Sequence, residues 1–380
     1  MIGQCFRRLA AAAAFGAALA AALPAAANPS LLFELETGKV LSHTDAFRRW
    51  HPASLTKLMT AYVTFRALGA GELALNSPVR MSRNSANEPP SKMGFQPGQV
   101  MTLDNALKMM IIKSANDIAM AVAENVGGSE KAFVARMNAE AARLGMTGSH
   151  FTNPNGLHSP EQYTTARDLG LLVSAIRKEY PQYASYFAIE GLTAGKKVMK
   201  SYNMLVARRF SGADGMKTGF VCPSGFNMIG SATRGGRTLV AVVLGASTAR
   251  GRAEFAAGML TDGFAGALKP GEALPALAAY GNSKAPPPNM RAEICGKKKK
   301  TQSEASADDE EDRSKLLPAP PLALKLVAVG LGGAGGPVPK AVRDREEALD
   351  LAEIPVPTPR PDYPEQPEVK AAAEGDTASN

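Results

Sequence analysis

The sequence has few of the residues on which metal sites and nucleic-acid surfaces depend. Its 380 residues include three cysteines and one tryptophan, and aromatic residues make up 6% of the chain. The four histidines show neither the helical spacing of zinc ligands nor a neighbouring glutamate: His43, His51, His150 and His158. No stretch interleaves aromatic and basic residues as a nucleic-acid platform does. These shortages exclude a zinc peptidase and a nucleic-acid binder, and we expect neither a metal nor a cofactor.

Positive charge, by contrast, is in excess, and the pattern of the N-terminus predicts an export signal. The formal net charge is +8, which suits a protein that works beside anionic wall polymer or a membrane surface. Arg7 and Arg8 precede an alanine-rich apolar run over residues 9–23, and small residues follow. This run is shorter than the ~20 residues that a membrane-spanning helix needs. We therefore predict a signal peptide over residues 1–27 and a periplasmic or other extracytoplasmic location.

Composition divides the rest of the chain at about residue 268. Residues 28–268 alternate apolar segments with turn signals and are long enough to bury a core. Proline, alanine and runs of charge dominate after residue 269, and such a segment buries too little apolar surface to offset its ordering entropy. We predict one folded domain over residues 28–268 and a largely disordered tail over residues 269–380. The basic run at 297–300 makes the tail a candidate for weak contact with wall polymer or membrane.

Hydrophobic periodicity within the domain predicts strands at both ends and helices between them. Predicted strands cover residues 31–35, 40–42, 215–220, 226–232 and 239–244. Predicted helices cover residues 52–68, 103–112, 118–126, 133–144 and 252–264. This order is typical of an α+β fold in which an antiparallel sheet is flanked by helices and accompanied by an all-helical part.

The first candidate for chemistry is the pair Ser54 and Lys57 at the start of a predicted helix. A spacing of three residues puts the hydroxyl and the amine on the same helical face. A serine nucleophile needs a base, and a lysine serves as one when burial or nearby positive charge lowers its pKa. By itself this motif is weak evidence, because the same spacing occurs on many solvent-exposed helices.

Two further motifs have plain structural alternatives. Ser114 and Asn116 lie between two predicted helices, where a hydroxyl and a carboxamide can handle a proton and a substrate amide, but where helix N-caps also occur. Lys217, Thr218 and Gly219 lie on a predicted strand and offer a charge, a hydroxyl and close backbone approach. An exposed edge strand with a protective lysine would look the same.

The three motifs in this order match the set found in penicillin-binding proteins and class A β-lactamases. From about residue 28 to 266 the sequence resembles the low-molecular-mass D-Ala-D-Ala carboxypeptidases, most clearly at residues 51–60, 153–157, 164–169 and 214–219. The resemblance implies the penicillin-binding fold and a serine carboxypeptidase that removes the terminal D-Ala from peptidoglycan stem peptides and is acylated by β-lactams. A D,D-endopeptidase for crosslinked peptides and a non-catalytic peptidoglycan-binding scaffold are the alternatives.

The resemblance also implies a role for each motif residue. Ser54 would be the acylated nucleophile, its backbone N–H would form half of the oxyanion hole, and Lys57 would be its base. Ser114 would relay the proton to the leaving D-Ala, and Asn116 would hold the substrate amide. Lys217 would steer Ser114 and the charge of the substrate.

Further residues would bind the substrate. Thr218 and Gly219 would lie along the peptide, and the N–H of Phe220 would complete the oxyanion hole. Arg252 falls where the family has an arginine that pairs with the terminal carboxylate, a task that suits a bidentate guanidinium; a surface helix arginine is the alternative. Val221 stands where the family often has a hydroxyl residue, which puts one carboxylate contact in question.

A class A β-lactamase would need a glutamate to activate the deacylating water. Glu161 lies in the corresponding region, but its neighbours at residues 160–163 do not match that motif. We therefore prefer a carboxypeptidase.

Two cysteines, Cys222 and Cys295, remain after the predicted signal peptide is removed. An even number in an oxidising compartment favours a disulfide, which would attach the start of the tail beside the Lys-Thr-Gly strand. Two unpaired thiols are the alternative, and the sequence leaves both open.

Overall fold

The structure, a computed structural model, describes residues 28–267, 277, 284–296 and 314–348. The predicted signal peptide lies outside the described residues. Ten strands occur in this part of the chain: β1 Ser30–Glu34, β2 Val40–Thr44, β3 Pro78–Arg80, β4 Val100–Thr102, β5 Gly191–Ala194, β6 Lys197–Lys200, β7 Ala213–Val221, β8 Gly225–Arg234, β9 Arg237–Ala246 and β10 Leu326–Ala328.

The same ranges contain ten α-helices and two 3-10 segments. The helices are α1 Thr56–Gly69, α2 Arg83–Asn87, α3 Leu103–Ile112, α4 Asn116–Gly127, α5 Glu130–Arg143, α6 Ala166–Glu179, α7 Met204–Ala207, α8 Ala249–Ala265, α9 Arg291–Cys295 and α10 Lys340–Ala348. The 3-10 segments are Ala53–Leu55 and Pro181–Ala188. No helix among the described residues is long and apolar enough to cross a membrane.

A five-stranded antiparallel sheet in the order β2-β1-β9-β8-β7 forms the centre of the domain. Side chains alternate between its two faces, as the two-residue period of a strand requires. Leu31 and Phe33 of β1 belong to the larger core, which includes residues of α1, α3, α4 and α6. Leu32 faces the opposite way and packs in a second core with Ala256 and Leu260 of α8. The predicted α+β fold with an antiparallel sheet flanked by helices is thereby confirmed.

Most of the elements with a clear hydrophobic period are found where the sequence predicts them. The predicted helix at 103–112 has the same bounds as α3, and the predicted strands at 215–220, 226–232 and 239–244 lie within β7, β8 and β9. The features that were not predicted include helix α6, four shorter helices, the small sheet of β3 with β4, and the sheet in the order β10-β5-β6. The four shorter helices are α2, α7, α9 and α10.

Two segments of the predicted tail, residues 284–296 and 314–348, are among the described residues and contact the domain. Ile294 of α9 is fully buried against Phe226 and Ala249. Strand β10 pairs in parallel with β5, and the N–H of Gly332 donates to the carbonyl of Val100 at 2.7 Å. The domain already presents apolar surface and a free sheet edge, so these short segments need few apolar residues of their own to pack. The remainder of the predicted tail lies outside the described residues.

Candidate active site

A cleft of about 530 Å³ runs between the edge strand β7 and the helical part of the domain. Its lining includes Ser54, Ser114, Asn116 and Phe220, four of the predicted site residues. Lys57 and Lys217 are buried directly behind this surface. The fold thus brings together three motifs that lie far apart in the chain. Hydrogen bonds join them: Lys57 to Asn116, and Lys217 to Ser114.

Ser54 and Lys57 face each other at the junction of a 3-10 turn and a helix. Ser54 lies in the turn Ala53–Leu55, which continues directly into α1, and its side chain is half-buried. The Nζ of Lys57 donates to Ser54 Oγ at 3.0 Å, to Asn116 Oδ1 at 2.7 Å and to the Asn155 carbonyl at 2.6 Å. These three neutral acceptors aim the amine at the serine hydroxyl.

The second serine of the site is held by the second lysine. Lys217 of β7 donates from Nζ to Ser114 Oγ at 2.9 Å and to the Thr218 carbonyl at 2.8 Å. Ser114 has a positive φ of 59°, a conformation that costs on the order of 1 to 3 kcal/mol and persists where surrounding contacts hold it. Those contacts include the N–H of Asn116, which donates to the Ser91 carbonyl at 2.7 Å, and the Asn116 amide, which donates to the Pro89 carbonyl at 2.9 Å.

Two glycines let neighbouring segments approach the backbone of Ser54. A Cβ on Gly219 of β7 would lie 2.9 Å from the Ser54 nitrogen. Gly156 has a φ of +88°, and a Cβ there would overlap the carbonyl oxygen of Ala53. The turn that carries the serine is therefore clamped between β7 and the segment at residues 153–157, and both glycines are sterically required.

Phe220 lies at the cleft surface of the edge strand. Its ring stacks on that of Phe226 with the centroids 4.2 Å apart, and the two residues face each other across the β7–β8 pair. Since β7 is the last strand of its sheet, its outer edge has backbone groups that no further strand covers. An oxyanion hole formed by the N–H groups of Phe220 and Ser54 stays a prediction.

Arg252 lies behind the Lys-Thr-Gly segment and not on the cleft surface. Its side chain is 1% exposed, and its Nη1 donates to the carbonyls of Gly219 at 3.2 Å and Asn227 at 3.1 Å. Thr218 is likewise buried, whereas Val221 lines the cleft. The surface-helix alternative for Arg252 does not hold, and its contact with a substrate carboxylate stays a prediction.

Several residues of the site were given no role by the sequence, although Asn155 lies in one of the segments that resemble the family. Asn155 binds Lys57 through its carbonyl, and any residue type can supply a carbonyl. Lys113 and Tyr202 line the cleft and are hydrogen-bonded to each other, Nζ to Oη at 2.7 Å. Arg291 also lines it, from a segment whose composition gave no reason to place it there.

Cys222 and Cys295 form a disulfide, so the paired alternative is the one found in the structure. Cys222 lies in the lining of the cleft and Cys295 ends α9. The bond joins the end of β7 to a helix 73 residues further along the chain.

Two histidines beside the site have lowered pKa values. The rings of His51 and His158 lie 4.7 Å apart, edge to face. Burial lowers the pKa of His51, and the neighbouring His158 lowers it further against the opposing effect of the Gln162 carbonyl. Partial burial also lowers the pKa of His158, with a further contribution from the charge of Arg291. Both shifts favour the neutral form of the imidazole.

Acidic groups are kept away from the cleft surface. Glu161, the β-lactamase candidate, is exposed and does not line the cleft. Burial raises the pKa of Glu88, which accepts a hydrogen bond from the Asn155 amide at 3.0 Å and lies outside the lining. Within the part of the chain that the structure describes, no group of three His, Cys, Asp or Glu side chains is arranged to hold a metal ion.

Comparison with known sequences gives one family. The profile of peptidase family S11, D-alanyl-D-alanine carboxypeptidase, matches residues 17–248. The D-alanyl-D-alanine carboxypeptidase DacC of Escherichia coli (strain K12) is 36% identical over 269 residues, which are 69% of this chain and 67% of that protein. DacF of Bacillus subtilis (strain 168), of the same name, is 35% identical over 60% of this chain and 59% of its own length. The chain therefore spans about three fifths to two thirds of these relatives.

Solved structures show the same fold. Penicillin-binding protein 5 from Haemophilus influenzae has a TM-score of 0.61 at 30% identity, and the match covers 63% of this chain and 71% of that one. Penicillin-binding protein D2 from Listeria monocytogenes in the ampicillin-bound form has a TM-score of 0.58 at 29% identity, and the match covers 64% of this chain and 99% of that one.

Proposed function

The chain belongs to the S11 family of D-alanyl-D-alanine carboxypeptidases, and on that premise we propose that it hydrolyses the terminal D-Ala-D-Ala bond of peptidoglycan stem peptides through an acyl-enzyme on Ser54. The observation that carries the proposal is the 3.0 Å contact between Lys57 Nζ and Ser54 Oγ at the wall of the cleft. β-Lactams would acylate the same oxygen, since they meet the same nucleophile.

In the acylation step Lys57 acts as a neutral amine, whose two N–H groups donate to Asn116 Oδ1 and the Asn155 carbonyl and whose lone pair faces Ser54 Oγ. The lone pair accepts the proton of Ser54 while Oγ attacks the carbonyl carbon of the penultimate D-Ala. The N–H groups of Ser54 and Phe220 stabilise the oxyanion that forms. Ser114 relays a proton: it donates its own proton to the departing amine and recovers one from Lys57, which thereby returns to its neutral form. The hydrogen bond from Lys217 holds the Ser114 hydroxyl toward the cleft. Water then cleaves the Ser54 ester, which releases the shortened peptide and restores the serine proton.

Four residues hold the peptide during these steps. Asn116 presents its amide to the substrate while its Oδ1 binds Lys57, and Thr218 and Gly219 provide the edge along which the peptide lies. Arg252 supports this edge from behind through the Gly219 carbonyl. We propose that its effect on the terminal carboxylate is exerted chiefly through this positioning of the Lys-Thr-Gly segment.

The same proposal includes an extracytoplasmic location. The predicted signal peptide at residues 1–27 and the disulfide of Cys222 with Cys295 both support export to an oxidising compartment. A pure scaffold would have no use for a fully buried lysine directed at a serine, and this disfavours the non-catalytic alternative.

Release of D-Ala from a soluble stem pentapeptide tests the proposal. The wild-type protein should release one D-Ala per peptide, and the Ser54→Ala variant should release none. A protein that hydrolyses penicillin rapidly and leaves the pentapeptide intact would be a β-lactamase, and one that cuts only crosslinked dimers would be an endopeptidase.

A further inference from the structure

One wall of the cleft comes from outside the part of the chain that matches the family profile. Helix α9 begins at Arg291, more than 40 residues after the matched range ends at residue 248. Arg291 lines the cleft together with His158 and with Val221, Cys222 and Pro223 at the end of β7. The match to the family profile therefore assigns no role to this arginine.

Three independent contacts fix the backbone of Arg291 at this place. The N–H of the preceding Met290 donates to the Pro223 carbonyl at 3.0 Å. Ile294, one turn later, is fully buried in a cluster with Phe226. Cys295 is joined to Cys222 by the disulfide. The arginine side chain is exposed at the mouth of the cleft, but its starting point is held firmly.

The charge of the cleft favours an anionic ligand. Two cations at its surface, Lys113 and Arg291, belong to its lining, and no aspartate or glutamate does. Lys113 donates to the phenol oxygen of Tyr202, whereas no carboxylate of the described residues forms an ion pair with Arg291. The charge of Arg291 acts inside the cleft, because it contributes to the lowered pKa of His158.

The direction of β7 tells which part of a peptide would meet this arginine. In the proposed reaction the leaving D-Ala lies near Lys217 and Ser114, and the reacting carbonyl lies near Phe220. β7 ends at Val221, and Pro223 lies in the turn that follows it, at the end of the cleft beyond Phe220. An extended peptide along β7 would therefore bring the residues that precede D-Ala-D-Ala toward Pro223 and Arg291.

We propose that Arg291 binds a carboxylate of the stem peptide on the N-terminal side of the scissile bond and makes the enzyme selective for anionic stems. The inference rests on the proposed carboxypeptidase function and adds a specificity-determining residue to it. A guanidinium binds a carboxylate through two parallel hydrogen bonds, which suits recognition by a side chain at a solvent-exposed rim.

Matched peptide pairs test this proposal. One pair carries a free α-carboxylate or a carboxamide on the γ-linked glutamate of the stem, and the other carries the same difference on the side chain of the following residue. In one of the two peptide pairs, the wild-type kcat/KM for D-Ala release should be about fivefold higher for the acid than for the amide, which is the effect of an exposed ion pair. The peptide pair that shows this difference identifies the carboxylate that Arg291 binds. Equal values in both pairs would overturn the proposal.

Variants then assign the preference to Arg291. Arg291→Gln should abolish the preference, mainly through KM, and Arg291→Lys should retain part of it. Lys284→Gln removes one positive charge from an exposed residue of the same segment that does not line the cleft, and it should keep the full preference. A preference that survives in Arg291→Gln would refute the assignment.

Two further readouts separate failure of this inference from failure of the proposed function. The pKa of His158, measured by NMR, should rise in Arg291→Gln because a nearby positive charge is removed. An unchanged pKa would show that Arg291 does not lie in the cleft. If the wild-type protein releases no D-Ala from any peptide, the carboxypeptidase proposal itself fails, whatever the behaviour of the variants.

Discussion

The Nζ of Lys217 lies 2.9 Å from the Oγ of Ser114, so each motif serine of the cleft has its own lysine. Ser54 is paired with Lys57 at 3.0 Å from the other side. In the proposed mechanism the two pairs serve different halves of the reaction: Lys57 takes the proton from the nucleophile, and Ser114 delivers a proton to the leaving group. Substitutions at Lys57 and at the residues that position the cleft should therefore affect acylation and stability to different extents.

Replacing Lys57 by methionine removes the base and keeps a side chain of similar length in the buried position. We expect acylation by penicillin to slow by about 10²- to 10⁴-fold, as is typical for loss of a general base, with little change in the melting temperature. Stopped-flow or quenched mass measurements give the rate. An acylation rate near that of the wild type would mean that another group accepts the Ser54 proton.

Gly156→Ala tests the clamp on the turn of Ser54. The new methyl group would overlap the Ala53 carbonyl, and the φ of +88° adds strain, so both acylation rate and melting temperature should fall. Gly145→Ala is the matched control, because Gly145 has a φ of +71° with nothing within 4 Å of the new Cβ. If the two variants lose the same stability and Gly156→Ala acylates normally, the close packing against Ala53 does not position the serine.

The residue Asp214, three positions before Lys217, should make stability depend on pH. Burial acts to raise the pKa of this carboxyl, but the hydrogen bond and charge of Arg177, assisted by Ser231 and Thr233, outweigh burial and lower the pKa below its ordinary value of 3.8. Because the folded-state pKa is the lower one, the stabilisation is present above pH 3.8 and is lost as the pH falls through the folded-state value.

Asp214→Asn should accordingly reduce the free energy of unfolding by about 1 to 3 kcal/mol at pH 7, and its difference from the wild type should shrink below pH 3.8. Urea titrations over a series of pH values measure both. Asp45→Asn, at an exposed carboxylate 3.8 Å from Arg48, should change little at any pH. A pH-independent loss in Asp214→Asn would attribute the effect to packing and not to the ion pair.

Cys295→Ala should destabilise the protein although Cys295 lies outside the predicted domain. The disulfide with Cys222 closes a loop of 73 residues, and its loss is expected to lower the free energy of unfolding by about 2 to 4 kcal/mol. Unfolding of the wild type with and without reductant provides the comparison. Equal stability of the oxidised wild type and the variant would show that the disulfide adds nothing to the stability of the domain.

The sequence predicts those parts of the molecule that depend on local pattern. Helix α3 has ten residues with a clear apolar face, and its predicted bounds agree with the structure. Residue type, spacing and order in the chain were enough to identify the motif residues Ser54, Lys57, Ser114, Asn116 and Lys217. The fold brings these residues together.

Features that depend on long-range contacts were not predictable in the same way. The positive φ of Ser114 and the burial of Arg252 behind β7 arise from packing between segments far apart in the chain. Arg291 lies in a polar, proline-rich stretch, and only its attachment through Cys295 and Ile294 brings it to the cleft. Arg291 lines the cleft although it lies after residue 268, where composition places the end of the domain.

The intact mass of the protein after incubation with benzylpenicillin, followed by peptide mapping, tests the central claim most directly. We expect one penicillin to be added per chain, on the peptide that contains Ser54, and none to be added to Ser54→Ala. An unmodified mass after prolonged exposure to saturating penicillin, or a label on any other residue, would contradict it.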